Sequence, residues 1–103
     1  MLTNEQLETK LEQSPAPRVT KEQMNARIKS VDYTRIGGTL THCSIKLDNG
    51  YQVTGESACV NPANYNQEIG EKIAYDNAYN KLWALFGFLL AEGNFNNGSA
   101  RAA

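Results

Sequence analysis

Apolar residues are sparse at the start of the chain, but Leu7 and Leu11 lie four apart and Thr3 followed by Gln6 has capping-box spacing. The spacing predicts a short helix over residues 4–13, ended by the SPAP run. With so little apolar surface such a helix is marginal alone. Thr20 with Gln23 repeats the box and opens a second short helix near 21–27, and Pro15 and Pro17 keep the joint between them extended. From Ile28 the hydrophobic period changes to two. Turn signals at Gly37-Gly38 and Asp48-Asn49-Gly50 divide this segment into strands at about 28–36, 39–47 and 51–58.

Register can be argued from the same pattern. A two-residue Asn-Gly loop would set Leu47 against Gln52 and Ile45 against Thr54, mixing apolar with polar side chains on one face. A three-residue loop with Gly50 in the left-handed position instead pairs Leu47 with Tyr51 and Ile45 with Val53. The second register is the one expected, and at the first turn it pairs Tyr33 with Cys43 and Val31 with Ile45. One face then carries Val31, Tyr33, Cys43, Ile45, Leu47, Tyr51 and Val53. The other carries Asp32, Thr34, His42, Ser44, Lys46, Gln52, Thr54 and Glu56 and should face solvent or a partner.

Beyond residue 66, Ile69, Ile73, Ala74, Ala78, Leu82, Leu85, Phe86 and Leu89 recur at three and four. They predict a helix over 66–91 whose stripe covers the sheet, with Gly93 as its stop. Trp83, Phe88 and Leu90 widen the stripe almost all round, which is more apolar surface than three strands hide, so a homo-oligomer, dimer or higher, is expected. The fold class is α+β: an antiparallel sheet of three or more strands packed by one long C-terminal helix, with short N-terminal helices. Residues 1–18 form an arm and linker, 19–92 one α+β domain and 93–103 a mobile tail.

A chain of 103 residues accommodates one core, and its 41% apolar content is that of an ordinary folded protein. The net charge of −1 gives no field that would draw the molecule onto nucleic acid or anionic lipid. The start has neither a basic n-region nor an apolar h-region, and the longest apolar run, LWALFGFLL, is too short to span a bilayer. A cytosolic protein without membrane contact is expected. In that compartment Cys43 and Cys59 are expected as thiols.

The candidate chemistry concentrates in GESACVNPANYN, residues 55–66, which joins the last strand to the long helix. Ser57 lacks the second glycine of a nucleophile elbow, and the single histidine, His42, falls on the opposite sheet face, so no nucleophile and base are paired. One histidine and two cysteines sixteen apart do not make a zinc site at the usual spacing. No catalytic residue, metal ligand or cofactor is assigned. Asn61-Pro62 has the pattern of a cap followed by a first-turn proline, and Asn64 and Asn66 precede the long helix, whose N-terminus favours anions. Tyr51 and Tyr65 offer stacking surfaces, and Arg27 and Arg35 offer forked phosphate donors. Asn77, beside Ile73 and Ala74, either bonds the loop or reads a ligand. These residues fit a nucleotide-like ligand, but by themselves they fit capping and turn chemistry better.

The run GESACVNPANYNQEIGEKIAYDNAYNKLWALFGFLL, preceded by NGY, resembles a small phage-protein family first noted in phages N4 and Sf6; the shared pattern is G-E-S-A-C-V-x-P-x-N-[FY], then G-x-K-I-A-Y-x-N-A-x-x-K-[IL]-W. The likeness spans about residues 20–90. It extends to the Thoeris anti-defence sponge proteins, which bind cyclic ADP-ribose isomers made by bacterial immune enzymes and withhold them from the effector; some members are linked to cyclic di- and trinucleotides. The resemblance implies a non-enzymatic, oligomeric phage or prophage protein that sequesters a cyclic nucleotide at subunit junctions. It carries an aromatic ligand contact to Tyr51, an asparagine to Asn61 and an arginine to Arg27. Where relatives often have arginine this chain has Tyr79, and Arg35 or Arg101 is the expected replacement. Tyr65 and Asn77 belong to the matched motif. The competing expectation is an accessory protein that acts by binding a host or phage protein through the apolar end of the long helix.

Overall fold

The computed structural model describes residues 1–13 and 16–97. Its elements run α1 (Asn4–Glu12), α2 (Lys21–Arg27), β1 (Ile28–Ile36), β2 (Leu40–Leu47), β3 (Gln52–Ala58) and α3 (Gln67–Asn96), with one 3-10 turn at Pro62–Asn64 before α3. The strands form one antiparallel sheet in the order β1-β2-β3, and α3 lies across β2 and β3. The architecture is the α+β one that the periodicity predicts.

Both capping boxes form. Thr3 Oγ1 accepts from the Gln6 N–H at 3.1 Å while Gln6 Oε1 accepts from the Thr3 N–H at 2.9 Å, and Thr20 with Gln23 does the same. Helix α1 buries no residue, whereas α2 is anchored by Met24, which is fully buried. In the sheet Val31 pairs with Ile45, Tyr33 with Cys43 and Ile45 with Val53. The Leu47 N–H donates to the Tyr51 carbonyl at 2.8 Å around Gly50 at φ +91°, so the three-residue loop is the one formed. Thr41, Cys43, Ile45 and Leu47 alternate into the core and their neighbours do not. The polar face has no element of the chain over it among the described residues: His42 Nδ1 meets Glu56 Oε2 there at 2.8 Å, and Ser44 donates to Gln52.

Three members of the expected helical stripe do not reach the sheet. Ile69, Ile73 and Leu89 are exposed, and the buried line instead runs through Gly70, Ala74, Ala78, Leu82 and Phe86. The reason lies at Gly55, where a Cβ would stand 2.3 Å from the Ala78 nitrogen and 2.5 Å from the Ala74 carbonyl oxygen. Strand and helix backbones touch there, and that approach admits only the small side chains of Ala74 and Ala78 opposite Gly55, the facing line of α3 widening to Leu82 and Phe86 further along. Large branched residues turn to the flanks. Tyr33 and Tyr51 share the expected face yet stay exposed, because α3 covers β2 and β3 and leaves β1 and the hairpin tip open.

Gly93 does not stop α3. Residues 93–96, expected in the tail, form its last turn, and the Asn97 N–H closes on the Gly93 carbonyl at 3.0 Å. The remainder of the expected tail, with Arg101, lies outside the described residues, as does Pro15 of the linker. Tyr79 is a core residue: its hydroxyl donates to Asn25 Oδ1 at 2.7 Å and ties α2 to α3.

Burial pushes the Cys43 thiol above its ordinary range, with Asp32 and Glu71 adding to the shift. Burial likewise raises the hydroxyls of Tyr75 and Tyr79. Each group is held neutral by folding, so its contribution is complete below the unfolded pKa and is lost as pH climbs toward the folded one. The urea midpoint should therefore be insensitive to these groups up to about pH 8.5 and decline above it, as thiol and then phenols ionise in the unfolded chain. Cys43→Ala should remove the earliest part of that decline.

Candidate functional site at the sheet-to-helix elbow

Residues 59–66 leave the end of β3, make one turn and enter α3. The Cys59 N–H donates to the Thr39 carbonyl at 3.0 Å and holds the start of this elbow to the sheet. Asn61 Oδ1 accepts from the Ala63 N–H at 2.9 Å, and Asn66 Oδ1 accepts from the Ile69 N–H at 3.1 Å. Both amides thus cap backbone, which is the ordinary use of asparagine before a helix. Asn77 does the same for the neighbouring strand. Hydrogen-bonded pairing at Leu47–Tyr51 and Thr39–Cys59 leaves the backbone of Gln52, Thr54 and Glu56 directed at the free edge of β3. Asn77 Nδ2 donates to the Glu56 carbonyl at 2.8 Å and covers one of those groups.

Tyr65 is used differently. The Arg35 guanidinium lies over its ring, 3.6 Å from the centroid, while Arg35 Nε and Nη2 donate to the Gly38 carbonyl at 3.2 and 2.7 Å. Buried Thr41 donates to the Tyr65 hydroxyl at 3.4 Å, a long contact. Register explains the meeting, since Arg35 pairs with Thr41 and Thr41 with Ser57, all on the helix side of the sheet. Beside this cluster is a hollow of about 110 Å³, lined by Thr39, Thr41, Ser57, Cys59, Asn64 and Tyr65 among others. It is smaller than the ~300 Å³ at which pockets for whole ligands begin. Arg35 Nη1 has no partner among the described residues and remains available to an anion.

The other candidates sit at the far end of the sheet. Arg27 Nε donates to both carboxylate oxygens of Asp48, at 2.8 and 2.9 Å, and its guanidinium lies 6.0 Å from the Phe86 ring centroid. Tyr51 is exposed and lines a separate, mainly apolar hollow of about 240 Å³ with Leu47, Asn49, Leu85, Phe88 and Leu89. From Thr41 to Leu47 is six steps along β2, about 20 Å. Within one protomer the structure brings Arg35 and Tyr65 together, sets Asn61 in the same elbow, and separates them from Arg27 and Tyr51. Thr41 and Gly70 are additions that sequence reasoning passed over: Gly70 leaves room for the Thr41 hydroxyl, which would lie 2.6 Å from a Cβ there. The signal was present, because Thr41 is the one polar residue on the inward-facing positions of β2.

Ser57 and His42 lie on opposite faces of the sheet. Both cysteines are free thiols, and the Cys59 thiol contacts the Asn61 carbonyl. Among the described residues no group of three or more His, Cys, Asp or Glu side chains is placed to hold a metal, and no helix is long and apolar enough to cross a membrane.

A three-stranded antiparallel sheet backed by one long helix, with an arginine–tyrosine stack at the polar elbow, defines a small α+β protein with a hollow at that elbow. The chain matches the model of the phage protein (N4 Gp49/phage Sf6 gene 66) family over residues 19–93, and it belongs to that family. No curated protein and no solved structure matches it.

Proposed function

We propose that this protein is a non-catalytic binder that captures a cyclic nucleotide immune signal, a cyclic ADP-ribose isomer or a cyclic oligonucleotide, and withholds it without turnover. The observation that carries the reading is Arg35 stacked on Tyr65 beside the elbow hollow. A guanidinium already fixed by a carbonyl and a ring loses little freedom on meeting a phosphate, where an unordered side chain would lose about 0.5 to 1.5 kcal/mol. The outer face of the same guanidinium is a platform on which a base can stack. Membership in a family of phage proteins fits such a role, and so does the likeness of the elbow motif to the sponge proteins.

Calorimetry with a panel of cyclic ADP-ribose isomers and cyclic di- and trinucleotides tests it. Heat with at least one ligand is expected, the ligand being recovered unchanged after the complex is denatured. Arg35→Ala should weaken binding at least tenfold with little change in melting temperature. Silence across the whole panel at micromolar protein would remove the proposal, and recovery of a cleaved product would replace it with an enzyme. One observation favours a second reading, in which the chain acts by binding a host or phage protein: the apolar end of α3, with Phe88, Leu89 and Phe95, is exposed.

A further inference from the structure

Tyrosine aside, Thr41 is the one polar side chain buried among the described residues, at 2% exposure. It heads an inward row that continues as Cys43, Ile45 and Leu47, where a valine would have the same shape and no hydroxyl to desolvate. The helix above departs from the ordinary at the same point. Gly70 faces Thr41, and a Cβ there would come within 2.6 Å of its Oγ1 and 3.4 Å of its Cβ, so α3 carries at this turn the residue that favours a helix least after proline. Both departures from a plain core converge on one atom, the Thr41 hydroxyl oxygen.

That hydroxyl reaches Tyr65. It donates to the phenol oxygen at 3.4 Å, too long to offset fully the desolvation of a buried hydroxyl, so stability alone does not account for it. Register supplies a reason. Arg35 and Thr41 are direct partners across β1 and β2, on one face of the sheet, with Cβ atoms about 5 Å apart. Tyr65 lies across that pair: the Arg35 guanidinium covers its ring, 3.6 Å from the centroid, and Thr41 meets its tip. A tyrosine has three χ1 wells, and moving between them would carry the ring away from the cation. A contact at the tip selects one well, because the hydroxyl travels furthest when χ1 changes. With the ring held, Arg35 is fixed between that ring and the Gly38 carbonyl.

We propose that Thr41 is a positioning residue of the elbow site: its hydroxyl selects the Tyr65 rotamer that carries the Arg35 guanidinium, and so sets the direction in which Nη1 is offered to a phosphate. Gly70 is the gap in α3 that leaves the hydroxyl its place. The consequence for binding rests on the nucleotide-capture reading above, whereas the consequence for the ring does not, and the two are measured separately.

Nuclear magnetic resonance of the ligand-free protein reads the ring. The side-chain protons of Arg35, identified by their absence in Arg35→Lys, should lie upfield of those of an unstacked arginine because they sit over the Tyr65 face. Thr41→Val should lose at least half of that displacement with little change in melting temperature, since valine keeps the shape. Thr41→Ser should do the opposite, melting lower for want of a methyl group while keeping the displacement. Tyr65→Phe should match Thr41→Val, and the double variant should lose no more than either. In calorimetry with the panel of cyclic ADP-ribose isomers and cyclic oligonucleotides, Thr41→Val should weaken binding about fivefold or more and Thr41→Ser less than about twofold. A wild type that gives no heat with any of the panel removes the functional reading and leaves the ring measurements to decide this one. A displacement unchanged in Thr41→Val, or lost equally in Thr41→Ser, would overturn the inference, as would a lost displacement with undiminished binding.

Discussion

Gly55→Ala is expected to destabilise the protein by about 3 kcal/mol or more, at the upper end of overpacking costs, and to abolish folding if the wild type is only marginally stable. The methyl group would enter space held by backbone: the Ala78 nitrogen at 2.3 Å, the Ala74 oxygen at 2.5 Å and the Asn77 carbonyl carbon at 2.9 Å. No rotamer relieves such a clash, so α3 must lift from β3. That movement would also stretch the Asn77 contact to Glu56. Two other glycines supply the contrast. At Gly70 the obstacle is the Thr41 hydroxyl at 2.6 Å, a side-chain atom that can turn away, so Gly70→Ala should cost no more than about 1 kcal/mol after the gain in helix propensity. At Gly87 nothing stands within 4 Å, and alanine should stabilise by up to about 1 kcal/mol. Urea titrations of the three variants give the ranking. Near-wild-type stability of Gly55→Ala would show that the helix does not rest on the strand backbone.

The second large effect is expected at Leu82. It is fully buried between helix and sheet, and truncation to alanine should remove about 3 kcal/mol, within the 2–5 kcal/mol seen for buried leucines. Leu89, one heptad further along the same expected stripe, is 51% exposed. Leu89→Ala should change the stability of the protomer by less than about 1 kcal/mol. Equal losses at the two positions would contradict this packing of α3.

The strands were legible because a half-buried sheet writes its burial at period two and its turns in glycine. Gly50 at positive φ, the Leu47–Tyr51 contact and the pairing of Tyr33 with Cys43 all accord with that pattern. Both capping boxes were legible for the same local reason, since their partners are three residues apart. In the candidate site the cap pattern of Asn61-Pro62 was legible, and Asn61 does cap the turn that follows it. The Arg35–Tyr65 stack could not be read, because thirty residues separate two groups joined by register and by the path of the elbow. Arg27 and Tyr51 carried equal weight as ligand residues, yet the length of β2 holds them at the opposite end of the protomer.

Local chemistry along the chain was sufficient for the class of fold, the register of the hairpins, both N-terminal caps and the polar character of the elbow, because each depends on interactions between near neighbours or on simple alternation. Folding in three dimensions chose which line of α3 meets the sheet, and chose it by closeness of approach. Backbone contact at Gly55 favours glycine and alanine over isoleucine, a preference invisible to a count of apolar residues. It also turned Tyr79 inward to Asn25, carried α3 past Gly93 and set the arginines at two separate ends, since those outcomes depend on distances between segments far apart in the chain.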